Sequence, residues 1–177
     1  MKTPPLSALA FLVAAALSLQ AESPRYGVQG LVTLPLRDLK TYVDSKPGTG
    51  IGIHGTFDLG DGHVLRPRLD YSVFPEVTLA GIKRNASSVS LGCDYLYFIA
   101  EKPEGFYFIL GLAAANWSFG TKNDVSDINT KTTKLGLAAG GGYQWNATVG
   151  TDLRWLHASV SRQFNADALQ AGVTIRF

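Results

Sequence analysis

The stretch Gln170-Ala171-Gly172-Val173-Thr174-Ile175-Arg176-Phe177 decides the fold. In an extended chain Leu169, Ala171, Val173, Ile175 and Phe177 point one way, and Gln170, Gly172, Thr174 and Arg176 the other. A period of two with one apolar and one polar face reads as a β-strand. Its last residue is a large bare aromatic ring, which suits a strand whose apolar face meets lipid and which closes a transmembrane barrel.

The other end of the chain agrees. Lys2 precedes an apolar run from Leu9 to Leu17, and small and polar residues follow as far as Ala21. This is the layout of a secretory signal peptide, with cleavage expected after Ala21, although Leu19 stands where Ala is more usual. The run is too short for a spanning helix, so a helical anchor is the weaker reading. The sequence therefore predicts a leader over residues 1–21 and a single domain over 22–177, exported and without a helical span.

Composition narrows the class. The 177 residues carry a formal charge of +2, so no strong field selects nucleic acid or acidic ligands. Charged residues make up only 17%, low for a soluble domain. The nineteen glycines suit a sheet closed under tight curvature. Cys93 is the single cysteine, so an intrachain disulfide is impossible, and with Leu91 and Tyr95 on its face it reads as an inert small side chain.

Eight alternating segments follow one another: 25–34, 50–57, 64–74, 88–99, 106–119, 132–145, 149–161 and 168–177. Connections 59–63, 100–105 and 146–148 are short and rich in turn formers. Connections 36–49, 75–87 and 120–131 are longer and mostly polar, and 162–167 is short. Asp38 to Asp44 can form a helical turn with Leu39 and Val43 on one face. The expectation is an all-β, eight-stranded antiparallel up-and-down transmembrane β-barrel with both termini on the short-turn side.

The two faces separate a membrane barrel from a soluble, lipocalin-like one. One face of the segments carries Leu65, Leu69, Leu91, Leu135, Leu137, Leu153 and Trp155; the other carries Arg66, Arg68, Asp70, Asp94, Asp152, Arg154 and Arg176, with many glycines. If the polar face lines a narrow eight-stranded lumen, those charges must pair, because a lone desolvated charge is costly. Arg66, Arg68, Arg154 and Arg176 can be offset by Asp70, Asp94 and Asp152, with His54, Gln29, Gln144 and Gln170 hydrogen-bonding around them. Aromatic residues fall into two bands expected at the membrane interfaces. Tyr26, Phe57, Tyr97, Phe106, Phe108, Tyr143, Trp145 and Phe177 form the periplasmic band; Tyr71, Phe74, Trp117, Phe119, Trp155 and Phe164 form the outer band.

The leader, the eight segments, the glycine-rich Gly140-Gly141-Gly142-Tyr143 and the terminal strand together resemble the small outer-membrane β-barrels of OmpA, OmpX and OmpW type. The terminal octet is similar to that family's C-terminal assembly signal, here Gln170, Gly172, Ile175 and Phe177. The resemblance implies placement in the outer membrane, contact with its lipid, and recognition of those four residues by the barrel-assembly machinery.

Chemistry is sparse. His54, His63 and His157 lie on separate segments without metal-ligand spacing, and no cofactor motif is present. His157-Ala158-Ser159 resembles the His-x-Ser of lipid A deacylase barrels, but Val160 stands where the motif has Asn, and Asp167 is not placed by the motif as an orienting acid. The leading expectation is a non-enzymatic barrel with a polar, plugged lumen and a structural or adhesive role. A porin-like conduit for small solutes and a lipid A-modifying enzyme are the alternatives. The sequence names no extracellular partner.

Overall fold

The computed structural model describes residues 24–123, 126–161 and 164–177. The expected leader and its cleavage site lie outside the described residues. Eight antiparallel strands run in chain order and close into a barrel: β1 (Arg25–Leu36), β2 (Gly48–Gly60), β3 (His63–Leu79), β4 (Ile82–Phe98), β5 (Gly105–Lys122), β6 (Asp127–Gln144), β7 (Val149–Ser161) and β8 (Phe164–Arg176). The terminal octet closes the ring. Gly27 lies opposite Arg176 and Leu36 opposite Asp167, so β8 meets β1 along ten residue pairs. Beyond the last pair, Tyr26 and Phe177 exchange backbone hydrogen bonds of 3.3 and 2.9 Å.

One short helix interrupts the pattern, α1 (Arg37–Tyr42), inside the expected helical turn. The other two long connections are not loops. β3 and β4 continue pairing to Leu79 opposite Ile82, and β5 and β6 to Lys122 opposite Asp127. Residues 75–79, 82–87 and most of 120–131 are therefore strand, because their Thr, Val, Ile and Asn residues serve a solvated ladder as well as a loop. The β3–β4 turn is made by Ala80 (φ 49°) and Gly81 (φ 78°), the paired left-handed geometry of a two-residue hairpin.

The outer wall is apolar. Val32, Ile51, Ile53, Leu69, Leu91, Leu110, Leu112, Leu135, Leu137, Leu153 and Val173 are each between 43% and 73% exposed. So continuous an apolar belt does not belong on a water-soluble surface; it belongs against hydrocarbon. The charged set faces inward: Arg66, Arg68, Asp70, Asp94, Asp152, Arg154 and Arg176 are all buried. This excludes the lipocalin-like arrangement, which needs the opposite handedness of faces.

Candidate functional site

The lumen is built in three tiers, and the middle one is ionic. On β3, Arg66, Arg68 and Asp70 alternate inward; Asp94 projects from β4, Asp152 and Arg154 from β7. Arg66 reaches across the barrel. It donates from Nε and Nη2 to Asp94 Oδ2 (3.2 and 2.9 Å) and from Nη1 to Asp152 Oδ2 (3.0 Å). Arg68 holds Asp70 with two bonds of 2.7 and 2.6 Å and donates to Asp94 at 3.1 Å. Arg154 donates to Asp94 at 3.4 Å, faces Asp152 at 3.7 Å, and is clamped by a short bond to Gln170 Oε1. Gln29 bridges the two halves, accepting from Arg68 (2.9 Å) and donating to Asp152 (2.9 Å). Gln170 donates onward to Thr33 at 3.1 Å.

Three guanidiniums thus meet three carboxylates at the barrel's centre, and a single oxygen, Asp94 Oδ2, accepts from all three arginines. Room for that carboxylate comes from Gly111, directly opposite on β5, where a Cβ would collide with it. Charge-assisted, partly bidentate bonds of this kind compensate the desolvation of groups so deeply buried.

Arg176 stands apart from its expected place in the network. It is buried, yet among the described residues it makes no ion pair, and its Nε has no hydrogen-bond partner. The register explains why. Asp152 lies level with Gly172, four residues before Arg176 on β8, or roughly 13 Å at the usual strand rise.

Each flanking tier carries an apolar cluster, which the sequence reading did not anticipate, although the tier toward the termini also holds the buried His54, Gln144, Thr174 and Arg176. Toward the termini, Val64, Leu96, Phe98, Tyr107 and Ile109 form one buried cluster. Toward the loops, Phe74, Ala86, Ala115, Trp117, Ala158, Ala166 and Ala168 form another, sealed from above by Leu39 and Val43 at α1. Tyr42 fixes that cap, donating to the Gly120 carbonyl at 2.8 Å, and Asp38 accepts from the Asn165 backbone N–H at 2.9 Å. The outer aromatic band is correspondingly thinner than expected. Trp117 (7% exposed) and Phe74 (1%) point into the lumen, and Phe119 and Phe164 pack against the same cluster, while Tyr71 and Trp155 remain on the wall. Parity decides this: on β5 the outward positions are even-numbered, so Trp117 and Phe119 follow Tyr107 and Ile109 inward. At the other rim, Phe57 is also buried, whereas Tyr26, Phe106, Phe108, Trp145 and Phe177 are more than half exposed.

The four residues of the terminal signal divide between the faces. Gln170 and Gly172 look inward, Gly172 packing against Gln29 and Asp152; Ile175 and Phe177 look outward, 51% and 78% exposed. His157 also differs from its sequence reading. Its Nδ1 lies 2.6 Å from Asp167 Oδ1, its direct partner across the β7–β8 ladder. An acid does orient this histidine, one that the linear motif could not place. The signal was nonetheless available, because Asp167 shares the lipid-facing parity of Leu169 and Val173, where an unpartnered carboxylate has no place.

A family model for the outer membrane protein β-barrel domain matches residues 6–177. The chain belongs to this family. It is a protein of the Gram-negative outer membrane, so the short turns face the periplasm and α1 faces outside. Solved barrels share the fold at low identity. The N-terminal barrel of Pseudomonas aeruginosa OprF is 14% identical with a TM-score of 0.67, covering 89% of this chain and 100% of its own. Neisserial surface protein A is 16% identical with a TM-score of 0.62, over 89% of this chain and 99% of its own. Ail, the attachment invasion locus protein of Yersinia pestis, is 11% identical with a TM-score of 0.65, over 87% and 97%. Ail has also been solved with the heparin analogue sucrose octasulfate. A comparison with curated protein sequences found no match.

Proposed function

We propose that this barrel is a non-conducting, surface-exposed adhesive protein whose contact element is the sheet rising from β3 to β6. One observation carries the reading. Pairing of β6 with β7 stops at Gly136 opposite Ala158, whereas β6 continues through residues 127–135 paired to β5 alone. Nine residues of β6 therefore present one open backbone edge outside, and on the far side β3 runs past its last β2 partner at Val73. The raised part stands on the order of 20 Å above the wall, from strand rise and tilt. An open edge is a template for an added strand, and Lys131 and Lys134 on it discourage self-pairing. Its outward parity also carries Lys83 directly opposite Lys122, each paired with an acid (Glu76 at 3.2 Å and Asp127 at 3.5 Å), with Lys131 two strands on. A heparin analogue bound to a fold neighbour makes heparin a sensible first probe for this basic face.

The absence of conduction follows from the tiers. A path through the lumen must cross a network of three arginines and three aspartates and two apolar clusters, with α1 over the mouth. During insertion, Ile175 and Phe177 are the residues we assign to the assembly machinery, because they stay outward while β8 is being added.

The test uses cells displaying the full chain or a variant with residues 76–85 and 120–129 shortened to tight turns. Attachment to heparin-coated and matrix-coated surfaces is expected to fall at least tenfold in the variant while the folded, heat-modifiable band persists. Equal attachment by both would remove the adhesive reading. Stable single-channel steps in planar bilayers would remove the non-conducting one.

A further inference from the structure

The tier nearest the termini is split between two chemistries. Its half on β3, β4 and β5 is the apolar cluster of Val64, Leu96, Phe98, Tyr107 and Ile109. Facing that half are polar side chains from β6, β8 and β2 with buried atoms that have no hydrogen-bond partner among the described residues: Gln144 Oε1, Thr174 Oγ1, Arg176 Nε and His54 Nε2. None of these four residues is more than 5% exposed. Two glycines bring them together. Gly27 on β1 is the register partner of both His54 and Arg176. A Cβ there would come within 2.7 Å of His54 Nε2, so the imidazole lies over β1, on the way to β8. Gly150 on β7 is likewise the partner of both Gln144 and Thr174, and a Cβ there would come within 2.5 Å of Gln144 Oε1. Neighbouring strands are roughly 4.8 Å apart, a span that a side chain leaning over a bare glycine covers. Thr174 and Arg176 are alternate residues on one face of β8.

Arg25 stands over this half-tier. It continues the inward parity of Gly27 and Gln29 out to the rim, opposite Thr56. Two guanidiniums therefore share the periplasmic mouth, and among the described residues neither makes an ion pair. The acid on this face of β2, Asp58, is turned instead to the Gly60 N–H at 2.9 Å. A buried guanidinium is costly unless an anion answers it, and an apolar wall opposite strengthens that attraction.

We propose that Arg176, Arg25, His54 and Thr174 form an anion site at the periplasmic mouth of the lumen, its ligand a terminal phosphate group, of free phosphate or of a phosphomonoester lipid headgroup. The planar guanidinium fork of Arg176 matches two phosphate oxygens, and Arg25 answers the second charge. The Thr174 hydroxyl and the Nε2–H tautomer of His54 donate to the remaining oxygens. Gln144 Oε1 only accepts, which suits a ligand that retains a proton. Hydrogen phosphate has one at neutral pH and sulfate has none.

The experiment uses the folded protein in nonionic detergent, its fold checked by heat-modifiable migration. Inorganic phosphate is offered in one arm and phosphatidic acid, in mixed micelles, in the other, at constant ionic strength. Binding is read by phosphorus NMR and by the shift of the urea midpoint. The wild type is expected to bind in at least one arm; the arm that responds identifies the source of the phosphate, and a response in both supports the shared group. Arg176→Met should weaken binding roughly tenfold or more, and Arg176→Lys, which keeps the charge without the fork, by less. Arg25→Met, at the exposed rim, should weaken it several-fold and tests the site even if Arg176→Met does not fold. Lys102→Met removes a cation from the β4–β5 turn on the same side of the membrane and should leave affinity unchanged. Sulfate should bind roughly tenfold more weakly than phosphate. Absence of binding in both arms by folded wild type overturns the proposal, as does a loss in Lys102→Met equal to that in the arginine variants, the mark of diffuse attraction. Equal affinity for sulfate overturns the assignment to phosphate.

Discussion

The middle of the lumen and its outer mouth are closed by opposite means. The middle is filled by side chains from the strands themselves, and every ion pair joins residues fixed by ladder register. The mouth is filled by Phe74 and Trp117 from strands, but its lid is a six-residue helix in a loop, held by two apolar side chains and a few polar bonds. The difference teaches that an eight-stranded barrel can secure its core through register alone, while its mouth depends on a separable piece. Apolar contact from Leu39 and Val43 closes the mouth, while Arg37 at the start of the same helix pairs with the buried Asp167 at 3.3 Å.

The comparison breaks first at Asp94. Asp94→Ala leaves three buried guanidiniums short of their shared acceptor, and about 3–5 kcal/mol of stability should go. Denaturant titration in detergent, followed by tryptophan fluorescence and heat-modifiable migration, measures this; a loss below about 1 kcal/mol would contradict the shared-acceptor geometry. Leu39→Ala should cost about 2–3 kcal/mol in the same titration, the lower part of the range for a buried leucine, because the lid can settle into the gap. Proteolytic cleavage within residues 37–47 should speed up in this variant and not in Asp94→Ala under folding conditions. Tyr42→Phe removes the bond to the Gly120 carbonyl and should cost about 1 kcal/mol. The smallest effect is expected at Arg176. Arg176→Met should be within about 1 kcal/mol of wild type in either direction, since no paired acid is abandoned. A loss comparable to that of Asp94→Ala would return Arg176 to the network.

Much of this was legible in the sequence for a physical reason. A barrel wall separates lipid from a lumen at every second residue, so parity alone placed Arg66, Arg68, Asp70, Asp94, Asp152 and Arg154 on one face. Parity is silent about height. It could not show that Arg176 lies a full tier below Asp152, nor that an apolar cluster packs inside the lumen at each end. Trp117 and Phe119 were assigned to the membrane interface from aromatic character, yet the even–odd rule applied to β5 sends them inward. The hairpins past Val73 and Ser118 were hidden because a polar ladder in water has the composition of a loop. The acid opposite His157 was out of reach of the linear motif, since the partner is set by cross-strand register on β8.

Gln170 sits where three strands must agree. It accepts from Arg154 on β7 and donates to Thr33 on β1 while belonging to β8. A slip of β8 by one residue would turn Gln170 to the lipid and bring an apolar side chain against Arg154. The closing strand therefore carries its own proofreading: the ring can shut in the wrong alignment only by taking from Arg154 its amide acceptor in the middle of the protein.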